Sequence, residues 1–121
     1  MAEKGRILVV DDEPAIRLFL SEELTQAGYT VFTAASGEEA LAFLEAKPVD
    51  LILLDLKMGS LNGLQVMKEV AREKLSPVVI ILTAHASLES AIEALRQGGY
   101  DYLLKPCRTE ELLTSVEKGL A

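Results

Sequence analysis

Apolar strand patterns and amphipathic helix patterns alternate along the whole chain, and this alternation constrains the fold more than any other feature. We predict five strands, at Ile7–Val10, Thr30–Ala34, Val49–Leu54, Val78–Leu82 and Tyr100–Leu104. A helix pattern follows each strand. Because each crossover between parallel strands packs back right-handed onto the sheet, the order predicts an α/β fold, a doubly wound five-stranded parallel sheet with five helices on its two faces.

The first, third and fourth strands are continuous apolar runs, which indicates central strands buried on both faces. The other two contain polar residues such as Thr33 and Asp101, which is typical of flanking strands. We expect the strand order 2-1-3-4-5, which is the order of the flavodoxin-like class and makes the first and third strands neighbours.

The helix patterns have their own start and stop signals. Pro14 begins the first helix and Gly28 ends it, Ser36 and Ser87 are predicted N-caps of the second and fourth helices, and Gly98 ends the fourth. The residues predicted to face the sheet are Ile16, Phe19, Leu20, Leu24 and Ala27 in the first helix, Ala40, Phe43 and Leu44 in the second, Met67, Val70 and Ala71 in the third, Leu88, Ala91, Ile92 and Leu95 in the fourth, and Leu112, Val116 and Leu120 in the fifth.

Composition limits the kind of protein that this chain can be. Its 121 residues fit one domain, predicted over 1–121, and half of them are apolar. A net charge of −7 argues against nucleic acid or an anionic membrane as a direct partner. Cys107 is the only cysteine, so an internal disulfide is excluded. With no apolar run long enough for a membrane span or a signal peptide, we expect a cytoplasmic protein.

In four of the five predicted strands, the carboxyl end is followed directly by a charged or hydroxyl residue. Asp11 and Asp12 follow the first strand, Asp55 the third, Thr83 the fourth and Lys105 the fifth. Since the carboxyl ends of parallel strands meet at one edge of the sheet, we expect these side chains to share one pocket. At an effective dielectric near 20, two carboxylates roughly 4 Å apart repel by about 4 kcal/mol, so three of them require protonation or a nearby cation.

The ligand atoms available in this predicted pocket are carboxylate oxygens, which favour a hard cation, and we expect Mg²⁺. An aspartate in such a site can attack phosphorus, because aspartate is an established nucleophile in phosphoryl transfer. Lys105 and the metal would neutralise the charge that develops, and Thr83 would donate its hydroxyl to a phosphoryl oxygen.

Four short motifs give the chain a family resemblance. They are Ile7-Leu8-Val9-Val10-Asp11-Asp12-Glu13, Leu53-Leu54-Asp55-Leu56-Lys57-Met58 with Asn62-Gly63, Leu82-Thr83-Ala84, and Asp101-Tyr102-Leu103-Leu104-Lys105-Pro106. In order and spacing they resemble the receiver domains of two-component response regulators, including the single-domain chemotaxis receiver. The resemblance covers essentially the whole chain.

The resemblance implies a role for each matching residue. It implies that Asp55 is the phosphoacceptor, and that Asp12 binds Mg²⁺ directly while Asp11 reaches it partly through water. The backbone carbonyl of Lys57 would complete the protein ligands. Thr83 would swing toward the phosphoryl group and Tyr102 would turn inward, which alters the surface formed by the fourth helix, the fifth strand and the fifth helix.

The resemblance also implies partners. A sensor histidine kinase or a phosphotransfer protein would supply the phosphoryl group, and an output domain or target protein would read the switched surface. A phosphorylation-dependent homodimer is a further expectation. Catalysis would be limited to the domain's own phosphorylation and dephosphorylation, so we expect a signalling domain and not a turnover enzyme.

Some positions depart from the family pattern or have a simpler interpretation. Gly59 stands where many relatives have proline, and Lys57 and His85 occupy positions that tune hydrolysis in the family, so the lifetime of the phosphoryl group is left open. Tyr102 in an edge strand is more often simple packing. Cys107 has no partner histidine that would suggest nucleophilic catalysis.

Three other functions remain as alternatives. A flavin or dinucleotide protein shares the predicted architecture, but its phosphate loops are rich in glycine, serine or threonine, whereas the first loop here is Asp-Asp-Glu-Pro. Phosphohydrolases that use an aspartyl nucleophile have that residue after the first strand and a second aspartate two residues later. This chain has Glu13 at the second position. A phosphorylation-independent interaction domain with the same fold is the third alternative.

Overall fold

The computed structural model describes residues 4–56, 62–72, 77–84 and 87–121. Strands and helices alternate in the order β1 (Arg6–Val10), α1 (Pro14–Gln26), β2 (Thr30–Ala34), α2 (Gly37–Ala46), β3 (Leu51–Leu54), α3 (Gly63–Arg72), β4 (Val78–Thr83), α4 (Leu88–Arg96), β5 (Asp101–Leu104) and α5 (Thr109–Leu120). The predicted alternation is confirmed. Lys57, Gly59 and His85 lie outside the described residues, as does the side chain of Leu88.

The five strands form one parallel sheet in the order β2-β1-β3-β4-β5, as predicted. The central strands are the continuous apolar runs, and every residue of β3 is buried. Alternate side chains of these strands lie in two separate hydrophobic cores, one on each face of the sheet. Since Leu8 and Ile52 pack with α2, α3 and α4, while Ile7 and Leu51 pack with α1 and α5, the sheet is covered on both faces.

The predicted helix caps are largely confirmed. The Ser36 hydroxyl accepts from the Glu39 N–H at 3.1 Å, which caps α2. Ser87 caps α4 in the same way, and Ser90 returns the bond in a reciprocal capping box. These bonds satisfy amides that have no partner within their own helix.

Some of the predicted inward positions are wrong. Phe19 is 49% exposed, Ile92 is 43% exposed and Leu95 is 52% exposed, and Ala71 is also exposed. In α1 the buried stripe runs through Leu20 and Leu24, and Phe19 lies about 100° around the helix from Leu20. In α4 the residue against the sheet is the fully buried Ala94, so the larger apolar residues face outward.

A close backbone approach fixes the start of α3 beside the end of β3. The Gly63 N–H donates to the Leu56 carbonyl at 2.8 Å. A Cβ atom at Gly63 would lie 2.5 Å from the Asp55 carbonyl oxygen and 2.8 Å from the Leu56 Cα. Because backbone atoms cannot move aside as a side chain can, only glycine fits at this point.

We therefore predict that Gly63→Ala lowers the free energy of unfolding by about 2–3 kcal/mol, the usual cost of overpacking at a rigid contact. Gly98→Ala is the control, because a Cβ there meets nothing within 4 Å and only the positive φ of +97° is strained, at about 1 kcal/mol. Urea unfolding of both variants measures the difference. An equal or smaller loss at Gly63 would contradict the close approach.

Candidate functional site

Register places the sequence-predicted acidic residues together at the carboxyl edge of the sheet. Val10 pairs with Leu54, and the Asp55 N–H donates to the Val10 carbonyl at 3.0 Å. Asp11 and Asp55 therefore follow directly after neighbouring strands and lie side by side. The central position of β1 and β3 in the sheet buries both residues, at 2% and 4% exposure.

Three carboxylates converge at this edge. Asp11, Asp12 and Asp55 each offer an oxygen, and these oxygens lie within 4.8 Å of one another. Asp11 and Asp55 are buried, whereas Asp12 is exposed at the mouth of the cluster. A set of oxygen donors with one side open to water is suited to Mg²⁺, which retains several waters when it binds to proteins.

Lys105 supplies a positive charge from the end of β5. Its Nζ is 3.4 Å from the Asp55 Oδ2 and is also paired with the Asp11 Oδ2. Burial lowers the pKa of Lys105, but the hydrogen bonds and charges of Asp11 and Asp55 outweigh it, so the pKa lies above the ordinary value of 10.5. The lysine is therefore cationic at neutral pH and partly offsets the carboxylate repulsion.

Thr83 and Tyr102 lie on β4 and β5, the two strands on one side of the acidic cluster. Thr83 ends β4 with no exposed surface, and its carbonyl accepts from the Lys105 N–H at 3.0 Å. Tyr102 is half-buried in β5, and its hydroxyl is 2.9 Å from the Ser90 hydroxyl in α4. The predicted switch residues are thus on adjacent strands, with Tyr102 tied to the first turn of α4.

Cys107, just beyond Lys105, is unsuited to nucleophilic chemistry. Burial and a hydrogen bond to Glu111, together with that carboxylate's charge, raise the pKa of the Cys107 thiol to about 12. The thiol is therefore protonated at neutral pH, and the reactive form of cysteine is the thiolate. This agrees with the sequence, in which Cys107 has no partner histidine for nucleophilic catalysis.

Two contacts at the site were not predicted from the sequence. The Arg17 guanidinium donates from Nη1 to the Asp11 carbonyl at 2.7 Å, and Gly63 allows α3 to start against the Asp55 backbone. An arginine one turn into a helix and a glycine after asparagine are both common in sequences. Neither sequence feature predicts these contacts, because the contacts depend on how the loops approach each other in three dimensions.

Residues 7–117 match the family described as the response regulator receiver domain. The chain belongs to this family. It is 40% identical over 118 residues to AlgB of Pseudomonas aeruginosa, an alginate biosynthesis transcriptional regulatory protein, covering 98% of this chain and 26% of AlgB. The chain spans about a quarter of the length of the curated relatives that it matches.

Solved structures support the same assignment. The Vibrio cholerae chemotaxis protein CheY4 superposes with a TM-score of 0.92 at 34% identity, covering 98% of this chain and all of the other. The Thermotoga maritima response regulator TrrA, solved in complex with Mg²⁺ and a beryllium fluoride, has a TM-score of 0.86 and 40% identity over 95% of this chain and 98% of its own. This protein is therefore a signalling domain of two-component systems.

Within the described residues, no helix has the length and the apolar character needed to cross a bilayer.

The Lys105 contacts give a direct prediction for the metal-free protein. Lys105→Met leaves two buried carboxylates without their cation, so we expect the free energy of unfolding at pH 7 in chelator to fall by about 2–3 kcal/mol. Because the folded-state pKa of Lys105 is raised, its contribution is present below pH 10.5 and is lost as the pH rises through the folded-state value.

Denaturant unfolding at several pH values measures this contribution. The gap between the parent protein and Lys105→Met should be constant from pH 8 to pH 10, on the order of the value at pH 7, and close at higher pH. Lys68→Met, which removes an exposed lysine from α3, is the matched control. Equal stability of the parent and Lys105→Met at pH 7 would contradict the role of Lys105 as counter-ion.

Proposed function

We propose that this receiver domain takes a phosphoryl group onto Asp55 with the help of Mg²⁺ and signals through its α4, β5 and α5 surface. The observation that carries the proposal is the pocket itself. Asp55 is buried within 4.8 Å of two further carboxylates and 3.4 Å from the Lys105 ammonium. Carboxylates, a hard-metal ligand set and a lysine are the components that phosphoryl transfer to aspartate requires.

The contacts favour Asp55 over its neighbours as the acceptor. Asp11 is held at both carboxylate oxygens, by the Glu13 N–H at 3.0 Å and by Lys105. Such fixation suits a metal ligand more than an attacking group. Asp12 is exposed to water, whereas Asp55 is buried directly after β3, and its Oδ2 is 3.4 Å from the Lys105 Nζ.

The donor set supports Mg²⁺ as the bound ion. We propose Asp11, Asp12 and Asp55 as its side-chain ligands, with the Lys57 carbonyl as a further ligand carried over from the family resemblance. TrrA, which shares 40% identity, was solved with Mg²⁺ and a beryllium fluoride. When bound, the ion would screen the carboxylates from one another and polarise the incoming phosphoryl group.

In the proposed reaction an Asp55 oxygen attacks the phosphorus of a phosphohistidine on a sensor kinase. The new O–P bond forms as the N–P bond breaks, and the imidazole leaves with a proton from solvent. Lys105 offsets charge on the phosphoryl oxygens, and the Thr83 hydroxyl donates to one of them. Attack of water on the phosphorus later breaks the O–P bond, which releases inorganic phosphate and returns Asp55 to its free carboxylate.

Hydrogen bonds from β5 to both flanking helices offer a route to the output surface. The Tyr102 hydroxyl contacts Ser90 of α4, and the Asp101 carboxylate accepts from the Ser115 hydroxyl of α5 at 2.6 Å. A shift of Tyr102 would therefore act on α4 directly, and a movement of β5 at the neighbouring Asp101 would act on α5. This is a bias between two states, as in other phosphorylation switches.

The surface that would change is already partly apolar. Ile92, Leu95, Tyr100 and Leu104 are each between 43% and 54% exposed on α4, β5 and the turn between them. Exposed apolar patches of this kind mark protein interaction sites. We propose that an output domain or target protein, or a second phosphorylated copy, binds here in the cytoplasm, and that nucleic acid does not bind this acidic domain directly.

Intact mass after incubation with Mg²⁺ and a small acyl-phosphate donor tests the proposal. We expect a gain of one phosphoryl group, lost in Asp55→Asn and in chelator. Asp50→Asn is the matched control, because Asp50 lies at the amino end of β3 and bonds the Arg6 N–H. A parent protein that gains nothing, and also fails to bind a phosphoryl mimic, would favour the phosphorylation-independent interaction domain.

A further inference from the structure

Arg17 makes a contact with the acidic loop that the phosphoryl-transfer chemistry does not use. It lies in the first turns of α1, is half-buried, and donates from Nη1 to the Asp11 carbonyl at 2.7 Å. The bond is directed at the backbone, although three carboxylates lie nearby. A charge-assisted bond of this length is among the stronger hydrogen bonds in proteins.

This contact completes the fixation of Asp11. Its N–H donates to the Ala34 carbonyl at 3.1 Å, its Oδ1 accepts from the Glu13 N–H, and its Oδ2 pairs with Lys105. The Arg17 bond holds the remaining polar group, the carbonyl. The residue is thus clamped from β2, α1 and β5 at once.

Fixing the Asp11 carbonyl also orients Asp12. The carbonyl of one residue and the N–H of the next lie in one rigid peptide plane. The Arg17 bond therefore sets the direction in which the chain enters Asp12, which is exposed and has less packing to hold it. A carboxylate ligand must be in place within a fraction of an ångström to bind a cation with near-octahedral geometry.

We propose that Arg17 is a positioning residue for the cation site, acting through the peptide that joins Asp11 to Asp12. The inference rests on the proposed function, because it assumes that these carboxylates bind Mg²⁺. The arginine touches neither the cation nor the phosphoryl group. Its contribution is the geometry of the loop between β1 and α1.

The sign of the effect separates positioning from simple charge. A guanidinium near the site repels a cation, so its loss through charge alone would strengthen Mg²⁺ binding. Loss of positioning would weaken it. Removing a residue that orients a metal ligand typically reduces affinity by about 10-fold or more.

The test is a Mg²⁺ titration followed by backbone amide chemical shifts in ¹⁵N-labelled protein. We expect the dissociation constant of Arg17→Met to rise about 10-fold, with the Asp12 amide shifted before any metal is added. Arg17→Lys, which keeps a donor and the charge, should recover part of the loss. Arg72→Met is the matched control, because Arg72 pairs with Glu69 at the far end of α3.

Each outcome decides the inference. A dissociation constant for Arg17→Met that is unchanged or lower overturns it, including when only thermal stability falls. If Arg17→Met does not fold, the same comparison is made with Arg17→Lys and Arg17→Gln, where affinity equal to Arg72→Met overturns the inference. If the parent protein does not bind Mg²⁺, the proposed metal site itself is ruled out. If it binds Mg²⁺ and the Arg17 variants bind equally well, only the role of Arg17 is ruled out.

Discussion

Repulsion among Asp11, Asp12 and Asp55 is the constraint on which the functional end of this molecule depends. Their oxygens lie within 4.8 Å of one another, where each pair costs about 3–4 kcal/mol at an effective dielectric of 20. A flexible chain would separate these charges. Here the two buried aspartates are fixed by the ends of β1 and β3, whose side chains fill both cores of the domain. Apolar packing thus maintains an arrangement that electrostatics alone would oppose.

The same repulsion among the carboxylates makes the pocket favourable for a cation. Lys105 relieves part of the repulsion in the metal-free protein, and a divalent cation would relieve the rest. A phosphoryl group on Asp55 would change this balance again, because it adds negative charge where the pocket already concentrates it. The Lys105 N–H donates to the Thr83 carbonyl at the ends of β5 and β4. A movement of Lys105 in response to the added charge would therefore act on β5, the strand that contains Tyr102.

The sequence predicted the architecture well because apolar runs and helix signals are local. The central strands and the cap residues Ser36 and Ser87 follow from such signals and are confirmed. The strand order, which rests on the flavodoxin-like class, is confirmed as well. The convergence of Asp11, Asp12 and Asp55 could also be predicted, since parallel strands bring their carboxyl ends to one edge. The roles of these residues, and of Thr83 and Tyr102, stay predictions.

Other features depend on three-dimensional approach and have no local signal. In α4 several faces carry apolar residues, and only packing decides that Ala94 is buried while Ile92 and Leu95 face outward. The same holds for the Arg17 bond to a loop carbonyl and for the space that only glycine fills at position 63. The proposed contribution of the Lys57 carbonyl lies outside the described residues and rests on the family resemblance.

Chemical mapping can identify the residue that carries the phosphoryl group. Borohydride reduces an acyl phosphate to the alcohol, so a phosphorylated aspartate becomes homoserine and can be located by peptide mass spectrometry. We expect homoserine at position 55 after treatment with donor and Mg²⁺, and unmodified aspartate there when the metal is chelated. Homoserine at position 11 or 12, or equal conversion of Asp55 without Mg²⁺, would contradict this expectation.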